Sequence, residues 1–265
     1  MSQPVICFDL DGTLVNERGE IHPLDVAILA RPDPPAVFVP CTGRLLPSVR
    51  RLFARHNLFL NGSLPFPMVL QNGAALYSPG EALFSFHSFP DEIQHFLVNL
   101  ILTSQNVTFV IFSADQVYTH APTDFSRALV RRFDLEDQPF HPEDDATFSK
   151  VMVLSEYSES LASVAQQADK DGIEQSYSLE SVLELNPAGI NKGRGLRKLV
   201  EAQGLWSNPL LVAGDGGNDL SLFELTPHTF APHTAPAGIQ ACAARVIDIT
   251  GTGLLGPLLA SADNQ

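Results

Sequence analysis

Short apolar runs that end on glycine or polar residues recur along this chain of 265 residues, and they set its architecture. Val5-Ile6-Cys7-Phe8 leads straight into Asp9-Leu10-Asp11-Gly12-Thr13. A β-branched and aromatic run of this kind, stopped by a glycine, predicts a buried strand. Ala36 to Cys41, Met68 to Leu70 and Leu210 to Ala213 predict three more. They end at Thr42-Gly43-Arg44, at Gln71-Asn72-Gly73, which Ala74 to Tyr77 follows as a hairpin-like continuation, and at Gly214-Asp215-Gly216-Gly217-Asn218-Asp219. Between the runs the apolar spacing becomes helical. Leu45, Leu46, Val49, Leu52 and Phe53 share one face, with Arg50, Arg51 and Arg55 turned outward. Further helices are expected over 22–30, where the prolines that follow forbid continuation, and over 194–202. Strand, helix and strand in succession indicate an α/β fold: a doubly wound, mostly parallel, Rossmann-like core.

The pattern changes near Pro79-Gly80. From Leu83 onward, paired strands at 107–112 and 116–119 mix with helices near 90–102, 125–133 and 158–168, and with strands near 149–154, 174–178 and 181–185. This predicts an α+β domain at 83–185 inserted into a core made of 1–82 and 186–265, with linkers at 78–82 and 186–189. After 186 the first pattern resumes. A helix is expected from Leu220, with Asn218 or Asp219 as its cap, then strands near 229–231 and 244–248 and a closing helix from Gly251.

Composition narrows the partners. Sixteen Lys and Arg stand against 30 Asp and Glu, a net charge of −14. Nucleic acid and anionic membrane both require a basic face, so neither is expected to bind. No apolar stretch reaches the length of a membrane span, and the residues before Val5 carry no signal pattern. The three cysteines are scattered and lack metal-ligand spacing, which fits a reducing, cytoplasmic setting. No pattern specifies an oligomeric state.

Candidate chemistry collects at the predicted strand ends. Alternation places Asp9 and Asp11 on one side of the chain, where two like charges call for a cation or a shared proton. The bland alternative is a strand followed by an Asp-Gly turn with both acids solvated. In the loop at 214–219, glycines allow close backbone approach and the acids suit a hard cation such as Mg²⁺; otherwise it is a flexible turn and a helix cap. Lys192 neutralises an anion or is solvated. Thr42 donates its hydroxyl to that anion or is structural, and Arg44 joins it or lies on the helix surface.

Taken together and in this order, the four features resemble the haloacid dehalogenase-like (HAD) hydrolase superfamily. Asp-Leu-Asp-Gly-Thr-Leu is similar to its first motif, Thr42-Gly43-Arg44 to the second, Lys192-Gly193 to the third and Gly-Asp-Gly-Gly-Asn-Asp to the fourth. The position of the insertion, with Gln71-Asn72-Gly73-Ala74, is similar to the Cof-like branch, subfamily IIB. The resemblance implies that Asp9 is the nucleophile forming an aspartyl-phosphate and that Asp11 is the general acid and base. It implies a Mg²⁺ site from Asp9, the backbone carbonyl of Asp11 and Asp215, with Asp219 in support. Thr42, Gly43, Lys192 and Asn218 would hold the phosphoryl group, and Arg44 would support them. The expected function is a Mg²⁺-dependent phosphatase acting on a small phosphorylated metabolite, a sugar phosphate first among them. The alternatives are a phosphotransferase or mutase of the phosphomannomutase type and a non-catalytic binding module. Family caps supply leaving-group contacts; His87, Tyr118, His120, Lys150 and Glu180 are the polar candidates here. Cys7 and Cys41 are expected to be neighbours beneath the site.

Overall fold

The computed structural model describes residues 3–143 and 147–262, with Ser178 described by its backbone alone. Its elements begin with β1 (Val5–Phe8), α1 (Pro23–Leu29), β2 (Val37–Pro40), α2 (Leu46–Ala54), β3 (Met68–Leu70), β4 (Ala75–Ser78) and β5 (Ala82–Phe86). There follow α3 (Asp91–Thr103), β6 (Thr108–Phe112), β7 (Val117–His120), α4 (Asp124–Arg132), β8 (Asp137–Pro139), β9 (Lys150–Leu154), α5 (Ser158–Gln167), β10 (Ile173–Leu179) and β11 (Val182–Pro187). The chain then continues through α6 (Lys192–Ala202), β12 (Leu210–Ala213), α7 (Leu220–Phe223), β13 (Thr229–Pro232), α8 (Ala237–Gln240), β14 (Arg245–Ile247), α9 (Ile249–Thr252) and α10 (Leu255–Ala262). Residues 1–85 and 191–265 form one compact unit and 86–190 a second.

In the first unit, five parallel strands pair in the order β14-β13-β12-β1-β2. β1 lies between β12 and β2 and is wholly buried, which is why its sequence is a continuous apolar run without polar alternation. Val5, Cys7, Val39, Val212, Leu196 and Leu199 pack into one core with Val69 and Leu76. β3 departs from the simple parallel succession. It touches the β2 end through a single parallel bridge, Cys41 to Val69, while its ladder is antiparallel to β4 in a three-stranded sheet. A three-residue strand followed by a tight turn meets its sequence neighbour before it can meet a distant one. The stretch at 78–82 is the turn from β4 into β5, and residues 186 and 187 complete β11. The change of unit therefore falls a few residues later than the linker composition suggests.

In the second unit, six strands pair in the order β10-β11-β9-β6-β7-β8. Alternation sorts its faces. Phe109, Ile111, Val151, Val153, Leu183 and Leu185 pack with Leu97, Ile101, Leu161 and Val164 of α3 and α5. On the alternate positions Lys150 pairs with Glu184 at 2.6 Å. β8 has no counterpart in the sequence reading, because Asp137-Gln138-Pro139 is exposed and carries no apolar pattern. No described helix is long and apolar enough to cross a membrane.

Candidate active site

Because β12, β1 and β2 are adjacent and parallel, their carboxyl ends lie side by side at one edge of the sheet, where open α/β sheets take ligands. Asp9 leaves β1, Thr42 leaves β2 after Cys41, and Asp215 leaves β12 after Gly214. The N–H of Asp9 still bonds to Ala213 O at 3.0 Å, so the carboxylate stands on rigid backbone. At Gly12, φ is 83° and a Cβ would lie 2.2 Å from Asp215 Oδ2, so only glycine lets the two loops approach. The next residue uses that closeness: Thr13 Oγ1 donates to Asp215 Oδ1 at 2.9 Å.

Strand alternation predicts Asp9 and Asp11 on one side. β1 ends at Phe8, however, and in the turn that follows the two carboxylates acquire different surroundings. Asp9 is buried. The Asp11 side chain is 56% exposed and takes a bidentate pair of bonds from Arg44, Nε at 2.8 Å and Nη2 at 2.6 Å. Their mutual repulsion is therefore not what the site has to relieve. The crowded carboxylates are Asp9, Asp215 and Asp219, whose ligand oxygens all lie within 4.8 Å of one another. Asp219 is thus nearer the centre than a supporting role suggests, and the side chain of Asp11 stands outside the cluster.

Lys192 is the first residue of α6, placed there by Asn191, whose side chain accepts from Arg194 N at 2.9 Å and caps the helix. Its ammonium is 1% exposed and donates to Asp9 Oδ1 at 2.6 Å and Asp219 Oδ1 at 2.7 Å. The other Asp219 oxygen accepts from the N–H groups of Asp215 and Gly216, each at 3.0 Å. Asp219, one of the two residues the sequence offers, stands at the N-cap position of α7, but its side chain makes no capping bond. Asp219 spends its acceptors on Lys192 and on closing its own loop, and Asn218 donates from Nδ2 to Asn72 Oδ1 at 3.2 Å. Thr42 is buried, and its hydroxyl oxygen accepts from Arg44 N at 3.2 Å.

Two of the three carboxylates, Asp9 and Asp219, thus share one buried ammonium. Burial pushes Asp9 up to about 7; Lys192 works against that, while Asp219 and Asp215 add to it. Burial works to strip the proton from Lys192, but Asp9 and Asp219 outweigh it and hold the ammonium above its ordinary value. Burial also raises Asp215, although the bond from Thr13 opposes the rise. A cluster of carboxylate oxygens with no imidazole or thiolate is the donor set of a hard divalent cation, so these residues fit Mg²⁺.

Sequence reasoning passed over one member of this site, Thr13, and gave another, Asp219, only a supporting place. Thr13 carried a signal, a hydroxyl directly after the glycine that brings the loops together. The central place of Asp219 carried only its spacing from Asp215. Beneath the site Cys7 and Cys41 are both fully buried, and burial, with Cys41 adding to it, pushes the Cys7 thiol well up. In the second unit, Tyr118 and His120 stack edge-on against Phe140, and Lys150 lies 5.4 Å from the Phe112 ring centre beside Glu184. Those three are engaged within their own unit. Glu180 occupies the exposed turn between β10 and β11.

The sequence model of the haloacid dehalogenase-like hydrolases matches residues 6–252. Among curated proteins, the chain is 24% identical to a 5-amino-6-(5-phospho-D-ribitylamino)uracil phosphatase of Bacillus subtilis, with 87% of each covered. It is 26% identical to a pyridoxal phosphate phosphatase of Escherichia coli, covering 93% of this chain and 94% of that one. Among solved structures, a Thermotoga maritima protein shares the fold with a TM-score of 0.84 at 23% identity, covering 98% and 97% of the two chains.

Proposed function

Because this chain belongs to the haloacid dehalogenase-like hydrolases, we propose that it is a Mg²⁺-dependent phosphatase acting on a small phosphorylated metabolite through an aspartyl-phosphate at Asp9. The observation that carries the reading is the meeting of Asp9, Asp215 and Asp219, with Asp9 and Asp219 both bonded to the buried Lys192. A nucleophilic carboxylate attacking a phosphate ester is an anion approaching an anion, and it needs nearby positive charge. Asp9, Asp215 and Asp219 would hold Mg²⁺, which when bound supplies the charge that offsets the phosphoryl oxygens and favours the ionised form of Asp9.

The chain's own residues divide the remaining work. Asp9 Oδ attacks phosphorus, the bond from phosphorus to the ester oxygen breaks, and Asp11 gives its proton to the departing alkoxide. Asp11 then takes a proton from water as that water attacks the acyl phosphate, releasing inorganic phosphate and restoring Asp9. Lys192 holds the attacking carboxylate in place at 2.6 Å. Thr42, Gly43 and Asn218 surround the phosphoryl oxygens, and Arg44 orients Asp11. The division of the chain into a catalytic core and an inserted domain that selects the leaving group belongs to the same proposal. The phosphorylated ribityl group in the name of the Bacillus subtilis relative's substrate supports a sugar or sugar-alcohol phosphate as the first class to test.

The test is phosphate release from a panel of sugar, nucleotide and cofactor phosphates with Mg²⁺, run beside Asp9→Asn. The wild type is expected to turn over at least one class, and Asp9→Asn to lose at least about 10³-fold in kcat with its melting temperature kept. Near-normal turnover in Asp9→Asn would refute the nucleophile.

A further inference from the structure

The reaction as proposed makes no use of Gln71-Asn72-Gly73, yet the backbone there is unusual. Gln71, Asn72 and Gly73 have φ of 52°, 54° and 105°, the only run of three positive values among the described residues. Closing the hairpin between β3 and β4 does not require it. An Asn-Gly pair alone supplies the two left-handed residues of a tight hairpin turn. Gln71 is a residue that ordinarily avoids this region. Strain of that kind persists where its surroundings impose it, and it collects at functional sites.

The surroundings here are the parts of the site expected to hold phosphate. Gln71 N donates to Arg44 O at 3.1 Å, and Asn72 N donates to Thr42 O at 3.0 Å. The Asn72 side-chain oxygen accepts from Asn218 Nδ2 at 3.2 Å and lies 3.1 Å from where a Cβ on Gly43 would stand. A Cβ on Gly73 would sit 2.3 Å from Asn191 O, so the turn also abuts the residue that starts the Lys192 helix. One three-residue turn therefore touches the Thr42-Gly43-Arg44 loop, the Asn218 loop and the head of α6. These segments are far apart in sequence, and this turn touches all three.

We propose that this turn positions the phosphate subsite, and that Asn72 is its acting residue, using its backbone N–H to fix Thr42 and its side-chain carbonyl to orient the Asn218 amide. Asn72 is a positioning residue, acting through Asn218 and Thr42. This rests on the phosphatase reading for its purpose, while the geometry stands apart from turnover. An Asn in a left-handed position is common in turns that do nothing else. What sets this one apart is a side chain spent on a second loop 146 positions away.

The discriminating variant is Asn72→Gly, which tolerates the backbone angle and deletes the carbonyl. With p-nitrophenyl phosphate and Mg²⁺, it is expected to raise KM about tenfold while lowering kcat much less, with the melting temperature held within a few degrees. Binding of inorganic phosphate in the presence of Mg²⁺, followed by calorimetry, should weaken by the same factor. Asn218→Ala is expected to match it, and the double variant to be no worse than Asn218→Ala alone. Effects that multiply in the double variant would overturn the coupling. A large fall in melting temperature with unchanged phosphate affinity would make the turn purely structural. If the wild type binds phosphate without hydrolysing any ester, the phosphatase reading fails and the binding arm still decides the role of Asn72.

Discussion

Arg44 reaches Asp11 with two of its nitrogens, although the sequence offered it only an anion or the helix surface. Asp11 is open to water and Arg44 partly so, so the pair contributes little to stability; exposed ion pairs are worth about 0–1 kcal/mol. Its effect lies in orientation, because a planar guanidinium gripping both carboxylate oxygens fixes the plane of the carboxyl group. Arg44→Met is therefore expected to leave the melting temperature within about 2 °C and to lower kcat about tenfold or more through misplacement of Asp11. A thermal melt beside steady-state kinetics checks this, and unchanged kcat would remove Arg44 from the reaction. The residue types at this site were legible in the sequence, but their pairings were not. Lys192 finds Asp9 at 183 positions' separation and Asp219 at 27, and no local pattern encodes either meeting.

Among the elements, the strands followed from apolar runs and the helices from spacing, while the joints between elements did not. Asp25 is the clearest example. It stands on α1, a helix legible from its following prolines, and is 1% exposed. Its two oxygens accept from Leu254 N and Leu255 N, each at 2.8 Å, so it caps α10 from across the chain. Burial raises its pKa, with those two backbone bonds opposing the rise. Asp25→Ala would orphan two buried N–H groups, each costing about 1–3 kcal/mol. A fall in melting temperature of at least several degrees is expected by calorimetry, with the residual kcat of the folded fraction unchanged. A neutral melt would mean that water takes over both bonds. β8 shows the opposite failure, an element with no signal at all: its residues are polar, exposed and held by pairing with β7.

For the whole molecule, the proposed Mg²⁺ site is coupled to the charge of Asp9. With a folded pKa of about 7 against an ordinary 3.8, Asp9 holds a proton that the unfolded chain has given up. Its contribution to stability is therefore present in full below the ordinary value and is lost as pH rises through the folded one. A divalent cation must displace that proton in mild acid and meets an ionised carboxylate above neutrality. The rise in melting temperature on replacing EDTA with Mg²⁺ is expected to be larger at about pH 8 than at about pH 5.5. An equal rise at both would separate the ion from Asp9. The sequence by itself determined the α/β core, the strand ends and the types of group gathered there, because periodicity and turn chemistry act within a few residues. Tertiary structure alone decided that Asp219 joins Asp9 and Asp215, that Asp11 turns to Arg44, and that Gln71-Asn72-Gly73 ties three loops together. Each of those depends on where the chain returns after a long excursion, and no window of sequence contains both partners.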